Sequence, residues 1–277
     1  MKLGVVLPSG EIDNDPIVIR DFVQAVEGMG FDYLLTYELL TDSRSDTAPS
    51  AYPEPLTLLS YIAGVAQKLE LATGIIVLPS RQTILVAKQA AQLDILTNGK
   101  LRLGVSTGWN DAEYAALNIP LAGRGQRMDE QIRLLRRLWT EQFPTFDGDY
   151  HTLENIGVFP KPIQQPIPIW IGGYAETVFK RVGELGDGWL AYDETPASIQ
   201  PKLDKIKQYA LKAGRDPDTI GLNIVGIDIT KAQDWAQLVT DWQNAGAGYL
   251  DVSTRGAGFT TSQHHLDALR TFKESIP

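Results

Sequence analysis

The sequence predicts an α/β fold, a closed (β/α)8 barrel of the TIM type, and three observations support it. Short apolar runs rich in β-branched residues alternate eight times with amphipathic stretches along the 277 residues. The apolar runs lack in-and-out alternation, which is typical of parallel strands buried on both faces. Eight such units fit a closed barrel better than an open doubly wound sheet, which usually has about five to seven strands. Residues 1–277 are therefore expected to form one domain.

The predicted strands are the apolar runs themselves. They cover Leu3–Leu7, Tyr33–Thr36, Leu69–Leu78, Leu101–Ser106, Ile167–Ile171, Gly188–Tyr192, Ile220–Ile227 and Tyr249–Ser253. The amphipathic stretches predict helices over residues 15–29, 54–67, 82–97, 125–140, 175–185, 197–213, 232–245 and 261–274. Asn98-Gly99, Gly214 and Gly246 end three of these helices, because glycine readily takes the left-handed conformation of a C-terminal cap.

Two connections are longer than the roughly two to six residues that are usual between strand and helix. Glu38–Pro53 follows the second strand and is rich in Ser, Thr, Asp and Pro. Barrel active sites lie where the strands end, so this segment is predicted to be a lid. Gln142–Pro166 carries four prolines and starts at the opposite face. It is expected to be structural unless it climbs back over the barrel.

Composition narrows the range of functions. The formal net charge of -9 leaves little basic surface for nucleic acids or anionic membranes, so neither is expected as a partner. The absence of cysteine excludes a disulfide framework and a thiolate metal site. No apolar run approaches the roughly 18 residues of a membrane span, and Leu3–Leu7 is too short for a secretory signal. A cytoplasmic location is therefore expected.

The stretch WIGGYAET, residues 170–177, indicates an anion site. Gly172 and Gly173 lie between the fifth strand and the fifth helix. Backbone N–H groups at a helix start attract anions, glycine permits close approach of a phosphate, and Thr177 adds a hydroxyl. The alternative is a tight turn that only connects the strand to the helix.

Two neighbouring strands strengthen this interpretation. The fourth strand ends in Ser106-Thr107-Gly108-Trp109, which places hydroxyls and an aromatic wall at the same rim, as a flavin mononucleotide requires. Gly74 interrupts the β-branched third strand and predicts a bulge or a close approach of the backbone, where a planar ring can lie. The alternative for Trp109 is a rim residue packed under its own loop.

Several blocks of the sequence resemble one family over nearly the whole chain. The blocks are GMGFDYLLTYE, LATGIIVLPSRQT, LVAKQAAQLDILTNGKLRLGVSTGW, RGQRMDEQIRLLRRLW, FPKPIQQPIPIWIGG and LGDGWL. Together they resemble the bacterial luciferase-like flavin oxidoreductases, especially the short members described as F420-dependent. The resemblance implies a luciferase-like barrel that uses FMN or the deazaflavin F420.

The resemblance also implies roles for individual residues. Family members have a non-prolyl cis peptide bond at the end of strand three, behind the isoalloxazine ring, and its match is Gly74-Ile75. The cofactor phosphate of family members lies on segments that match Thr107, Gly108 and Trp109. It also lies on the match of Gly172, Gly173 and Thr177, which agrees with the anion site inferred from the residues alone.

One departure affects the expected chemistry. Related sequences carry a Tyr-Asp-His run after strand two, with the histidine facing the flavin, whereas this chain has Tyr37, Glu38 and Leu39. Glu38, or Tyr37 through its phenol, is the candidate catalytic replacement, and a solvated rim carboxylate is the alternative for Glu38.

Metal binding is not expected, because the three histidines do not pair with acidic residues at ligand spacing. His264 and His265 are expected to be a solvated start of the last helix. Arg124 and Arg127 either reach an anionic cofactor tail or belong to a charged helix face.

The expected function is hydride transfer to or from a small organic substrate, or its monooxygenation, with FMN or F420 as cofactor. The acidic chain and its scattered cations give faint support to FMN over the polyglutamylated tail of F420. One rival is a non-catalytic flavin-binding or structural barrel protein, and another is a barrel that uses a sugar phosphate. The resemblance further suggests a homodimer, with the second and third helices as its interface.

Overall fold

Eight parallel strands close into a barrel, which confirms the predicted fold class. The computed structural model describes residues 1–41, 51–231 and 234–276. Its strands, in chain order, are β1 (Lys2–Val6), β2 (Tyr33–Thr36), β3 (Glu70–Thr73), β4 (Ile76–Val77), β5 (Leu101–Ser106), β6 (Phe146–Asp147), β7 (Thr152–Leu153), β8 (Ile169–Gly172), β9 (Gly188–Tyr192), β10 (Gly221–Asp228) and β11 (Tyr249–Ser253). β3 pairs with both β2 and β5, and β1 pairs with both β2 and β11, so the ring is closed. β3 and β4 together occupy one barrel position, at the predicted third strand.

Nine helices lie in the described ranges. They are α1 (Pro16–Gly28), α2 (Pro55–Val65), α3 (Thr83–Leu96), α4 (Asp111–Ala116), α5 (Arg124–Thr140), α6 (Glu176–Leu185), α7 (Pro196–Lys212), α8 (Trp235–Asn244) and α9 (Ser262–Ser275). Each predicted helix is present, and α4 is additional, since six residues are too few for a clear helical periodicity. Of the helices described, none is both long and apolar enough to cross a membrane.

Local sequence explains where several helices begin. α1, α2 and α7 each start with proline, whose missing N–H costs nothing in the first turn. The preceding residue accepts a hydrogen bond from a first-turn N–H in each case: Asp15 before α1, Glu54 before α2 and Thr195 before α7. These caps fix the points where the chain leaves a loop at the active face.

The segment Gln142–Pro166 starts at the bottom of the barrel and climbs back to the active face, which is the alternative that the sequence analysis left open. Its antiparallel pair β6–β7 forms a hairpin. At the hairpin's turn, the His151 ring lies 2.6 Å from the hydroxyl of Thr83, the first residue of α3, and 2.7 Å from the carboxylate of Glu130. Helices α3 and α5 both begin at the active face, and the hairpin is therefore anchored beside it.

The inside of the barrel holds a buried arginine within an aromatic box. The guanidinium carbon of Arg102 lies 4.7, 4.7 and 4.2 Å from the ring centroids of Tyr33, Trp170 and Tyr249. Its Nε donates to Glu70 at 2.6 Å and Nη1 donates to Asn223 at 2.5 Å. Such contacts offset the cost of removing the charge from water.

A carboxyl group lies deeper in the same interior. Asp251 is fully buried and accepts hydrogen bonds from Asn223 at 2.9 Å, from Tyr33 at 3.1 Å and from the N–H of Gly226 at 2.6 Å. Burial raises the pKa of Asp251 from its ordinary 3.8 to about 6, although these hydrogen bonds and Arg102 act in the opposite direction.

Substitution of Arg102 by methionine is expected to lower the free energy of unfolding by about 3–5 kcal/mol, because it leaves Glu70 and Asn223 without their buried partner. Urea denaturation followed by circular dichroism measures the effect. Arg20→Met is the control, since Arg20 forms an exposed pair with Asp21 and its loss is expected to cost less than about 1 kcal/mol. Equal effects of the two substitutions would contradict the stabilising role of the aromatic box.

The raised pKa of Asp251 predicts a pH dependence of stability. The folded protein binds the Asp251 proton more tightly than the unfolded chain, so this carboxyl's contribution to stability is present below pH 3.8 and is lost as the pH rises to about 6. The pKa difference corresponds to about 3 kcal/mol. We expect the unfolding free energy of the wild type, relative to Asp251→Asn, to fall by up to this amount between pH 4 and pH 7. A difference that stays constant with pH would contradict the raised pKa.

Candidate functional site

A cavity of about 960 Å³ opens where the barrel strands end. Nine of the ten residues predicted for the site line it: Tyr37, Glu38, Gly74, Ile75, Thr107, Gly108, Trp109, Gly172 and Gly173. The tenth, Thr177, lines a second cavity of about 630 Å³. Thr107, Ala175 and Val178 line both cavities, so the two are neighbours. Residues that were predicted from the sequence are therefore brought together by the fold.

The third barrel strand is interrupted at the cavity. The peptide bond between Gly74 and Ile75 is cis, which confirms that prediction. The carbonyl of Gly74 accepts a hydrogen bond from the hydroxyl of Tyr192 at 2.8 Å. Gly172 lies against Ile75, because a Cβ atom at position 172 would come within 3.0 Å of the Ile75 side chain. The interruption is thus held from two other strands, β8 and β9.

The start of α6 supplies hydrogen-bond donors at the boundary between the two cavities. Ala175, the N-cap residue, makes no side-chain hydrogen bond to the first turn. The first N–H groups of a helix have no partner within the helix. Gly173, with φ of 124°, turns the chain from β8 into this helix. The free donors and the helix dipole make this boundary suitable for an anion.

Positive side chains surround the second cavity. Arg124, Arg133, Lys180 and Arg181 line it, together with Asp129 and Glu184. Arg181 is committed to Asp129. Arg124 begins α5, and its buried Nε has no hydrogen-bond partner in the described chain. The second cavity therefore offers a guanidinium that is available to an anionic ligand.

Glu38 is held by two partners at the edge of the first cavity. Its side chain is 1% exposed, pairs with the Arg81 guanidinium and accepts a hydrogen bond from the N–H of Val77 at 2.6 Å. Arg81 also pairs with Glu54 at 2.9 Å. Burial raises the pKa of Glu38 above its ordinary value, although Arg81 and the Val77 N–H lower it. This excludes the alternative of a solvated rim carboxylate.

Tyr37 lies among aromatic and charged groups. Its ring centroid is 6.5 Å from that of Tyr192, and the Arg255 guanidinium lies 5.2 Å from its centre. Arg255 also lies over Tyr52, another residue of the cavity wall, at 4.9 Å. Burial raises the pKa of the Tyr37 phenol well above its ordinary value, so the phenol is a neutral hydrogen-bond donor at physiological pH.

Large aromatic side chains at the rim of the cavity are exposed, which excludes the alternative that Trp109 packs under its own loop. Trp109 is 82% exposed, so it is not packed under its own loop. Tyr174, in the connection from the neighbouring strand β8 to α6, is 65% exposed. Two large aromatic side chains thus stand at the entrance.

Several residues of the cavity wall were missed. They are Thr41, Tyr52, Val77, Asn110, Glu113, Tyr114, Tyr174, Ala175, Val178, Tyr192 and Asp193. Ser106 and Leu39 also line the cavity, and the sequence had already indicated both, Ser106 at this rim and Leu39 at the position of the family histidine. Tyr192 and Asp193 follow β9 directly, so the rule that barrel sites lie at strand ends could have found them. Glu113 and Tyr114 lie on α4, which had no detectable periodicity. The predicted lid, Glu38–Pro53, falls partly on residues 42–50, outside the described ranges, and its described ends contribute Leu39, Thr41 and Tyr52.

The histidines do not form a metal site in the described part of the chain, where no group of three candidate ligands occurs. The expectation that His265 is solvated is wrong, because it is fully buried and lies 2.8 Å from the hydroxyl of Thr254. His265 faces inward from α9, whereas its neighbour His264 is exposed. Successive side chains of an α-helix point in directions about 100° apart, so one of two adjacent histidines can be buried while the other is exposed.

Comparison with known proteins identifies relatives over most of the chain. An uncharacterised protein of Mycobacterium tuberculosis is 30% identical over 193 residues, which cover 67% of this chain and 66% of the relative. The pyrimidine monooxygenase RutA of Acinetobacter baylyi is 27% identical over 270 residues, 90% of this chain and 71% of the relative. The F420-dependent tetrahydromethanopterin reductase of Methanopyrus kandleri has the same fold, with a TM-score of 0.80 and 15% identity over 99% of this chain and 98% of that one.

The family profile described as luciferase-like monooxygenase matches residues 1–270. This match spans the barrel, both cavities and the interrupted third strand. The chain therefore belongs to the luciferase-like monooxygenase family, oxidoreductases that use FMN or F420.

Proposed function

We propose that the two cavities together bind one flavin-type cofactor, with its ring in the first cavity beside Gly74 and Ile75 and its phosphate at the boundary of the two. The observation that carries this proposal is the convergence of the α6 start and the unpaired Arg124 guanidinium at the end of an aromatic cavity. The first cavity has the volume of a cofactor site, and the donors at its end fit a phosphate. Thr107 and Thr177 add hydroxyl donors there.

The second cavity favours F420 over FMN. FMN ends at its phosphate, whereas F420 continues into a tail that carries carboxylates. Arg133 and Lys180 line the second cavity, away from the start of α6. Lys180 forms a long ion pair with Glu184 at 3.8 Å, and no ion pair of Arg133 occurs among the described residues. The scattered cations of the sequence are therefore neighbours in space. Their charge complements an anionic extension better than it complements a ligand that stops at the boundary.

The cofactor, when bound, supplies the two-electron chemistry, and the side chains position the substrate and its proton. Tyr37 lines the first cavity as a neutral phenol and can hold or donate a proton to a small organic substrate. Glu38 is already committed to Arg81 and Val77, which favours a positioning role over direct proton transfer. Through the N–H of Val77, Glu38 holds β4, the part of the third barrel strand that follows the interruption.

We further propose a homodimer built on α2 and α3. Ile84 and Leu85 at the start of α3 are 39% and 55% exposed, and Tyr61 of α2 is 37% exposed. Burial of these side chains against a second copy would remove apolar surface from water. The partner copy is not needed for any contact in the cavities described above.

The cofactor proposal is tested by titrating the apoprotein with FMN, F420 and riboflavin, followed by fluorescence. Arg124→Met is expected to weaken FMN and F420 binding about 10- to 100-fold, through loss of a charged hydrogen bond. It should leave riboflavin, which lacks the phosphate, unchanged. Arg133→Met and Lys180→Met should weaken F420 more than FMN. Arg137→Met is the control, since Arg137 lies at the other end of α5 and pairs with Glu141.

The outcome of this titration distinguishes an oxidoreductase, a non-catalytic flavin-binding protein and a barrel that uses a sugar phosphate. Binding of FMN or F420 with turnover of a substrate panel supports the oxidoreductase. Binding without any turnover supports a non-catalytic flavin-binding protein. If none of the three compounds binds the wild type, the cofactor proposal fails and a barrel for a sugar phosphate replaces it.

The contacts of Glu38 predict a coupling with Arg81. Arg81→Met removes the nearest positive charge from a carboxyl that is already buried, so the pKa of Glu38 is expected to rise further. Carboxyl ¹³C NMR as a function of pH measures this pKa in the wild type and the variant. Arg137→Met is again the control and should leave the Glu38 signal unchanged. A Glu38 pKa that falls in Arg81→Met would exclude the ion pair as the group that holds this carboxylate.

A further inference from the structure

Strand β10 contains an irregularity at the level of the first cavity. Its pairing with β11 shifts register between Ile224 and Ile227, which is the signature of a β-bulge. Gly226 lies within the shift and has φ of 73°, a left-handed conformation that glycine adopts without a steric penalty. β10 otherwise pairs regularly with β9 up to Val225.

The bulge lies directly under Tyr37. A Cβ atom built on Gly226 would have one described neighbour within 4 Å, the hydroxyl oxygen of Tyr37, at 2.8 Å. A separation below about 3 Å is shorter than van der Waals contact between carbon and oxygen permits. The hydroxyl of Tyr37 thus occupies the space that the missing side chain of Gly226 leaves open.

A buried carboxyl holds the bulge. The N–H of Gly226 donates to Asp251 at 2.6 Å, from the neighbouring strand β11. The second oxygen of Asp251 accepts from Asn223 at 2.9 Å and from Tyr33 at 3.1 Å. Asn223 in turn accepts from Arg102 at 2.5 Å. Asp251 is therefore fixed on both oxygens, and the bulge takes its position from a rigid group.

We propose that Asp251 is a positioning residue for Tyr37, because it holds the bulge at Gly226 and the bulge determines where the Tyr37 hydroxyl lies in the cavity. This effect on the position of the Tyr37 hydroxyl does not depend on a bound cofactor. Its consequence for catalysis rests on the function proposed above. Gly226 and Asp251 themselves do not line the cavity, so their effect on it is indirect.

The test uses the protein labelled with 3-fluorotyrosine and observed by ¹⁹F NMR without cofactor. The chain has ten tyrosines, and the Tyr37 signal is identified by its loss in Tyr37→Phe. Gly226→Ala and Asp251→Asn are each expected to shift the Tyr37 signal more than that of Tyr61, which lies on α2. Asp228→Asn is the matched control: it removes a carboxylate from the end of the same strand, where Asp228 pairs with Lys231.

A double substitution separates displacement of Tyr37 from general damage. Because the Tyr37 hydroxyl is the one described atom that a Gly226 side chain would meet, Gly226→Ala and Tyr37→Phe together should weaken FMN binding by less than the sum of their separate effects. The strain of alanine at a φ of 73° is present in both variants that carry Gly226→Ala. With any substrate of the panel that the wild type turns over, Gly226→Ala alone should lower kcat/KM by up to about 100-fold. Misplacement of a reacting group, here the Tyr37 hydroxyl, by about 1 Å can have that effect. Circular dichroism establishes which variants fold, and any folded variant decides the question.

An unmoved Tyr37 signal in folded Gly226→Ala or Asp251→Asn would overturn the proposal. So would additive effects of Gly226→Ala and Tyr37→Phe on FMN binding. These outcomes are distinct from failure of the proposed function. If the wild type binds neither FMN nor F420 but the Tyr37 signal shifts as expected, the positioning role stands and the cofactor assignment falls.

Discussion

The guanidinium of Arg102 organises the inside of the barrel. A charge with almost no access to water requires partners on several sides. Arg102 lies on β5, and its partners come from five other strands: Glu70 on β3, Tyr33 on β2, Trp170 on β8, Asn223 on β10 and Tyr249 on β11. The box is possible because Gly188 and Gly221 leave room for the Trp170 ring, since a Cβ at either position would overlap it. Asn223 accepts a hydrogen bond from Arg102 and donates one to Asp251, so it connects the two buried charged groups. A polar network thus extends through an otherwise apolar interior towards the cavity, and it can specify strand register as well as stability.

Closure of the barrel explains why the site forms where it does. Parallel strands all end at one face, so segments distant in sequence become neighbours there. The start of α6 lies beside the end of β5, and the start of α5 brings Arg124 into the wall of the neighbouring second cavity. Two helix starts and a guanidinium thus come from separate parts of the chain to adjoining cavities. The aromatic half of the first cavity forms in the same way, from Tyr37 after β2, Tyr192 at the end of β9 and Trp109 after β5.

The hairpin of β6 and β7 supports this face from outside the barrel. His151 contacts both Thr83 and Glu130, and Gln131 donates to Thr83, to the carbonyl of Leu78 and to that of Arg81. Arg81 then pairs with Glu38 in the cavity wall. A continuous series of contacts therefore links the hairpin to the candidate site. The segment Gln142–Pro166, which the sequence predicted to be structural unless it climbs over the barrel, therefore has its structural role at the functional face.

The eight strand–helix units, the interrupted third strand and the glycines between β8 and α6 could all be predicted from sequence, because periodicity, β-branched runs and glycine are local signals of backbone geometry. Of the nine predicted residues that line one cavity, the glycines came from these local signals, whereas Tyr37, Glu38 and Ile75 came from the family resemblance. They meet because strand ends lie at one face in any closed barrel. What sequence could not determine was which side chains become partners. The commitment of Glu38 to Arg81, the burial of His265, the grouping of Arg124, Arg133 and Lys180, and the bulge at Gly226 held by Asp251 all join residues far apart in the chain. Only the tertiary structure decided these, because burial and hydrogen bonding depend on distances in space that no local pattern encodes.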